Sequence, residues 1–228
     1  MTEWGIHYGT DLSNKENNVK YRLYLQTLAL IAAAFVPAQK AHAQRHEVGL
    51  TLGAVTGKAK DTPNGSLDIG TGVAFQANYG YRFFGTRKIR FSGEVHFLAS
   101  PLQEIQSANR TATRDYASLY VIPGIRVKFA PAARVSPYAA IGGGYALFEQ
   151  SVNRIDGSPN AAPRFNHRGA LAFGGGLDVR VWRFVATRWE VRDFYSGNPA
   201  FNVPITGGGL HNIVAGGGLV LRFGSSEK

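Results

Sequence analysis

From His46 onward, apolar and polar residues alternate with a period of two, and the alternation is broken at intervals by turn-forming residues. A period of two places successive side chains on opposite faces of an extended chain, so the pattern predicts β-strands with two chemically different faces. Eight such runs are predicted, near 46–55, 68–83, 88–98, 115–129, 136–149, 168–182, 186–195 and 211–223. Between them, tight connections (FGTRK, APAARV, RFVA) alternate with long ones near 56–67, 99–114, 150–167 and 196–210. The long connections hold turn residues such as Asp61-Thr62-Pro63-Asn64-Gly65, Asp156-Gly157-Ser158-Pro159-Asn160 and Ser196-Gly197-Asn198-Pro199.

The faces separate cleanly. In the third run Ile89, Phe91, Val95 and Phe97 oppose Arg90, Ser92, Glu94 and His96. In the fourth, Leu119, Val121, Ile125, Val127 and Phe129 oppose Ser118, Tyr120, Arg126 and Lys128. The sixth sets Leu171, Phe173, Leu177 and Val179 against Asp178 and Arg180, and the seventh sets Trp189 and Val191 against Arg188, Glu190 and Arg192. A soluble barrel with an apolar pocket would alternate in the same way, with its faces exchanged. Two features select the inverted, membrane orientation.

Aromatic residues stand beside the short turns (Phe83, Phe84, Phe129, Trp182, Phe184, Phe223) and near the opposite strand ends (Phe97, Tyr116, Phe148, Phe194, Tyr195), which predicts two interfacial belts. The polar faces mix opposite charges with glycines at 142–144, 174–176 and 216–218, as suits a narrow interior crowded with paired side chains. An even strand count with short turns at one end and long loops at the other is the arrangement of an outer-membrane barrel, short turns and termini periplasmic.

The N-terminal 43 residues read differently. Lys20 and Arg22 precede the apolar run from Leu23 to Val36, and Ala41-His42-Ala43 then precedes Gln44. A basic segment, a short apolar run and an A-x-A site predict a signal peptide cleaved between Ala43 and Gln44, leaving one domain over 44–228. The 14-residue run would rise only about 21 Å as a helix, short of a ~30 Å hydrocarbon core. Residues 1–19 precede the basic segment without periodicity, as a misassigned start would leave them.

Composition narrows the function classes. With 28 glycines, 12% aromatics and 18% charged residues, the chain is made for strands and turns. The absence of cysteine excludes a disulfide framework, a zinc-thiolate site and a thiol nucleophile. The net charge of +10 is scattered singly along strands and loops, which argues against nucleic acid and for contact with anionic lipid headgroups.

The closing run His211–Phe223 (HNIVAGGGLVLRF), with Leu219, Leu221 and Phe223 on one face, resembles the terminal strand read by the outer-membrane assembly machinery. Together with the signal peptide, the eight strands and the loop asymmetry, and with the run Arg188–Phe194 after Gly174–Arg180, the chain resembles the OmpA/OmpX-like superfamily of small outer-membrane barrels. That resemblance implies an all-β, eight-stranded antiparallel up-and-down transmembrane barrel, in the outer membrane of a Gram-negative-type bacterium. It further implies a monomer in contact with lipid and lipopolysaccharide. Only five residues follow Phe223, so no peptidoglycan-binding domain is expected after it.

Candidate chemistry is sparse. The Gly-Gly-Gly runs lack the Lys-Ser/Thr and the helix of a phosphate-binding loop, and are expected to let strands bend and pack closely. Arg82, Arg90, Glu94, Arg126, Lys128, Asp178, Arg180, Arg188, Glu190 and Arg192 are expected to form an interior charge network that fills the barrel, since eight strands enclose just enough room for side chains. His96, His167 and His211 are placed at the long-loop rim, with no serine positioned for lipid hydrolysis. No catalytic residue, cofactor or metal is expected. The basic segments Arg110–Arg114 and Arg164–Arg168 are candidates for lipopolysaccharide phosphates. The expected role is structural or surface-interactive through four long loops; the alternatives are a narrow solute channel and, behind it, a lipid-modifying barrel enzyme.

Overall fold

The computed structural model describes residues 45–63 and 65–223; the expected signal peptide, its Ala43–Gln44 cleavage point and the tail after Phe223 lie outside the described residues. The alternating runs become β1 (His46–Gly57), β4 (Thr71–Gly85), β5 (Ile89–Ser107), β6 (Asp115–Phe129), β7 (Val135–Gln150), β8 (Phe165–Arg180), β9 (Val185–Ser196) and β10 (Leu210–Phe223). Each pairs antiparallel with its neighbour, and β1 pairs with both β4 and β10 while β5 pairs with β6, so the eight close into a ring. Closure leaves no wall edge unpaired, the condition for strands to stand in lipid.

The outer wall is apolar. Leu52, Val73, Ile125, Leu171, Val191 and Leu219 are exposed, and Ile141 and Trp189 show 66% and 63% of their surface, which suits a hydrocarbon solvent. Beside the short turns Phe83, Phe84, Phe129, Trp182, Phe184 and Phe223 all point outward, as one belt requires. β8 ends at Arg180, and Trp182 belongs to the following turn, where its ring stacks on Phe184 at 6.4 Å.

The opposite belt is not built as expected. Tyr116, Phe148 and Phe194 are buried inside the barrel, because each shares the strand phase of interior neighbours: Tyr120, Ala146 and Arg192 respectively. Position at a strand end suggested a belt, but phase decides the face.

Two segments expected to be irregular are strand. β5 continues to Ser107 instead of ending near 98, and β2 (Lys60–Thr62) with β3 (Gly65–Ile69) forms a hairpin whose second strand pairs along that extension, Leu67 opposite Ser107 and Ile69 opposite Ile105. Burial of Leu67, Ile69 and Ile105 rewards the pairing. The register slips between Ser100 and Gln103, around Pro101, which has no N–H to offer the ladder.

Glycine matters most where strands approach each other. A Cβ on Gly176 would stand 2.8 Å from the Tyr138 hydroxyl and would also strike the Trp189 carbonyl, so only glycine leaves room for the Tyr138 ring.

Candidate functional site: barrel interior and cap

The interior divides into two layers along the barrel. Toward the short turns it is ionic. Glu47 accepts from Arg126 Nη1 at 2.7 Å, Lys128 Nζ at 2.9 Å, Arg188 Nη2 at 2.6 Å and Arg222 Nε at 3.3 Å. Asp178 accepts from Arg188 Nε at 2.8 Å and Arg222 Nη2 at 3.2 Å and pairs with Lys128. Higher in the barrel, Glu94 takes Arg192 Nη1 at 2.7 Å and pairs with Arg126. Glu190 takes Arg192 Nε at 3.0 Å and the Tyr138 hydroxyl at 2.7 Å. The Tyr138 ring lies 4.9 Å from the Arg126 guanidinium and 4.8 Å from that of Arg188, which adds cation–π attraction to the ion pairs.

Of the ten charges expected here, Glu94, Arg126, Lys128, Asp178, Arg188, Glu190 and Arg192 are buried and joined through these contacts. Arg180 instead turns to the Ala132 carbonyl in a short turn, and among the described residues Arg82 and Arg90 have no carboxylate within 4 Å. The expectation that every inward charge is paired therefore fails at these three, which stand at the barrel end where water can solvate them. The hub, Glu47, and Arg222 were absent from the expected network, although alternation against Val48 and Leu50, and against Leu221 and Phe223, already assigns both to the inner face.

Toward the long loops the interior becomes aromatic and aliphatic. Tyr120 meets Phe148 edge-on with centroids 5.7 Å apart and Phe194 at 5.2 Å, and Tyr116 packs on Phe148 at 5.9 Å and on Phe201 at 5.4 Å. Val55, Ala74, Leu98, Ile122, Leu210 and Val214 fill the remaining wall. His96 lies at the junction of the layers, fully buried, with Nε2 at 3.1 Å from Gln76 Oε1 and its ring 5.6 Å from Phe194.

The long connections fold over this layer and bond to one another. Thr113 N donates to Phe201 O at 2.9 Å, Asn202 Nδ2 to Thr111 O at 2.7 Å, Ile155 N to Ala112 O at 3.0 Å and Thr206 N to Asp61 O at 2.9 Å. Phe201 and Ala112 are wholly buried beneath them. Lys60 donates to the carbonyl of Gly208 at 3.0 Å and also to that of Gly209, tying the β2–β3 hairpin to the last loop. Burial, with Lys58 nearby, pulls the Lys60 ammonium below the ordinary lysine range. The four connections form one hydrogen-bonded cap.

The three histidines do not meet. His96 is interior and mid-wall rather than at the rim; His167 is exposed on β8, bonded to the Tyr145 hydroxyl; His211 is on the outer face of β10, 2.7 Å from Asp193 Oδ2. Among the described residues no three potential metal ligands gather. Of the basic segments, Arg110 and Arg114 are exposed on the cap with Ala112 and Thr113 buried between them. Arg164 reaches Glu149 at 2.7 Å, and Arg168 donates to Asn198 O at 2.9 Å.

The sequence profile described as "Outer membrane protein beta-barrel domain" matches residues 27–223. No curated protein sequence matches significantly. Among solved structures, Neisserial surface protein A is similar with a TM-score of 0.52 at 14% identity, over 81% of this chain and all of that one (100%). The attachment invasion locus protein of Yersinia pestis, in complex with the heparin analogue sucrose octasulfate, gives 0.42 at 17% identity, over 78% of this chain and 99% of that one. The outer membrane enzyme PagL gives 0.43 at 16%, over 78% and 99%.

Proposed function

Because the chain belongs to the outer-membrane β-barrel family, and so to the Gram-negative outer membrane, we propose that it acts as a filled membrane anchor whose ordered cap makes contacts at the cell surface. One observation carries this reading: the interior is occupied from end to end, by ion pairs in one half and by Tyr116, Tyr120, Phe148, Phe194 and Phe201 in the other, with the cap bonded across the top. The cavity among the ionic residues amounts to about 20 Å³, room for roughly one water and not for a solute path. The signal peptide over 1–43, recognition of Leu219, Leu221 and Phe223 by the assembly machinery, and a monomeric state belong to the same proposal.

The partner favoured is the phosphate-bearing part of lipopolysaccharide, met by the exposed Arg110 and Arg114 and by Arg164. Separation of the histidines, with no serine bonded to any of them among the described residues, supports a non-catalytic role. The test is to replace Arg110, Arg114 and Arg164 with glutamine and to measure lipopolysaccharide retained per folded barrel by mass spectrometry. Retention should fall several-fold; retention equal to the parent protein would remove the cap from the binding role.

A further inference from the structure

In the short-turn half of the interior, charges of the two signs do not balance. Among the described residues, the carboxylates Glu47, Glu94, Asp178 and Glu190 are each bonded to one or more of Arg126, Lys128, Arg188, Arg192 and Arg222, while Arg82 and Arg90 bond to none of them, leaving Arg180 aside at its turn. These two guanidiniums stand half-buried at the barrel end, where water or an incoming anion can compensate them.

The hydrogen-bonding groups show the same asymmetry. Arg126 Nε and Arg188 Nη1 are buried donors without an acceptor, and neither can be exchanged for an acceptor by turning the group over, as an amide could. Arg82 and Arg90 arise from neighbouring strands, their ladder positions separated by the Arg82–Phe84 bulge and the Phe84–Phe91 pair. They line the ~20 Å³ cavity together with Glu47, Arg126, Lys128 and Arg222. This half of the barrel holds unused guanidinium donors while its carboxylates are already shared among several cations, and its cavity lies at the short-turn end. Guanidinium forks match the planar pairs of oxygens that oxyanions present.

We propose that the short-turn mouth is an oxyanion site, in which Arg82 and Arg90, backed by Arg126 and Arg222, hold a phosphate group supplied by an inner-leaflet lipid headgroup or by phosphate in periplasmic solution. One oxygen enters the cavity toward Arg126 and Arg222, which line it, while the rest of the group stays in the mouth.

The test follows the guanidinium Nε–Hε resonances of the full barrel in an amine-oxide detergent, which carries no phosphate, as inorganic phosphate is added at constant ionic strength. Saturable shifts at Arg82, Arg90 and Arg126 are expected, with half-saturation moved about tenfold or more in the R82Q/R90Q double variant, a loss of ~1.4 kcal/mol or more. Heat-modifiable migration confirms that the variant is folded; R90Q alone serves if the double variant does not fold. Repeating the titration in phosphatidylethanolamine/phosphatidylglycerol nanodiscs identifies the source. Resonances already at their bound positions assign the site to lipid headgroups, and resonances that still move assign it to soluble phosphate. Shifts no larger than those of a chloride control in both media, or equal shifts in the double variant, would overturn the proposal.

Discussion

Replacing Glu47 with glutamine keeps the side-chain shape and removes one charge from the centre of the ionic layer. Four cations bond to this carboxylate, three of them within 2.9 Å. At an effective dielectric of ~20 each such contact is worth about 4 kcal/mol of attraction before desolvation is subtracted. Lys128, Arg188 and Arg222 retain Asp178, and Arg126 retains Glu94, so much of the attraction survives. What is lost is the compensation of a buried positive cluster whose excess rises by one, and removal of one partner from a buried ionic cluster typically costs about 3–5 kcal/mol. Urea unfolding of E47Q in lipid vesicles, followed by tryptophan fluorescence, should show a destabilisation of that size. Adding Lys128→Met removes a cation as well, and the double variant should recover about 1–3 kcal/mol relative to the sum of the two single changes. An E47Q protein within about 0.5 kcal/mol of the parent would refute the assignment of Glu47 as the hub.

Other parts of the structure give independent outcomes. Ala130, in the short turn after β6, has φ of 44°, in the left-handed region that favours glycine; Ala130→Gly should therefore stabilise the barrel by about 1 kcal/mol in the same unfolding assay. His211→Ala leaves the Asp193 carboxylate without its imidazole on the outer wall and should cost about 1–3 kcal/mol, while His211→Gln should recover part of this. Lys60→Ala unties the β2–β3 hairpin from the last loop, and amide exchange should accelerate around Gly208–Leu210 while the wall strands keep their protection.

Alternation located all eight wall strands because the two sides of this wall meet opposite solvents, and apolar outward positions such as Leu50, Leu52, Leu219 and Leu221 leave little freedom of phase. The same phase carried more than was taken from it. Phe194 follows Arg188, Glu190 and Arg192 on one face, so its burial among them was legible, yet its place at a strand end suggested an interfacial belt. Tyr116 and Tyr120 are likewise in phase with Arg126 and Lys128. Glu47 was hidden differently: β1 is glycine-rich and carries one interior charge, and nothing local marks that charge as the meeting point of cations from β6, β9 and β10. The cap was beyond reach for a third reason. Phe201 is preceded by Asn198-Pro199-Ala200 in a segment with no periodicity, and its burial depends on Tyr116 and on loop-to-loop hydrogen bonds between residues far apart in sequence.

These observations describe a barrel whose middle is packing and whose chemistry is displaced to its two ends. At the long-loop end the cap presents arginines above aromatic rings, and at the short-turn end Arg82 and Arg90 line a small cavity without a carboxylate within 4 Å.

The central claim, that the barrel is filled, is tested most directly by single-channel recording of the refolded full-length protein in a planar bilayer. The two-layer interior predicts a silent bilayer at physiological salt, even when incorporation is verified by heat-modifiable migration. Reproducible unitary currents that scale with salt concentration would contradict it, and would mean that the ionic layer and the aromatic layer part to leave a continuous water path.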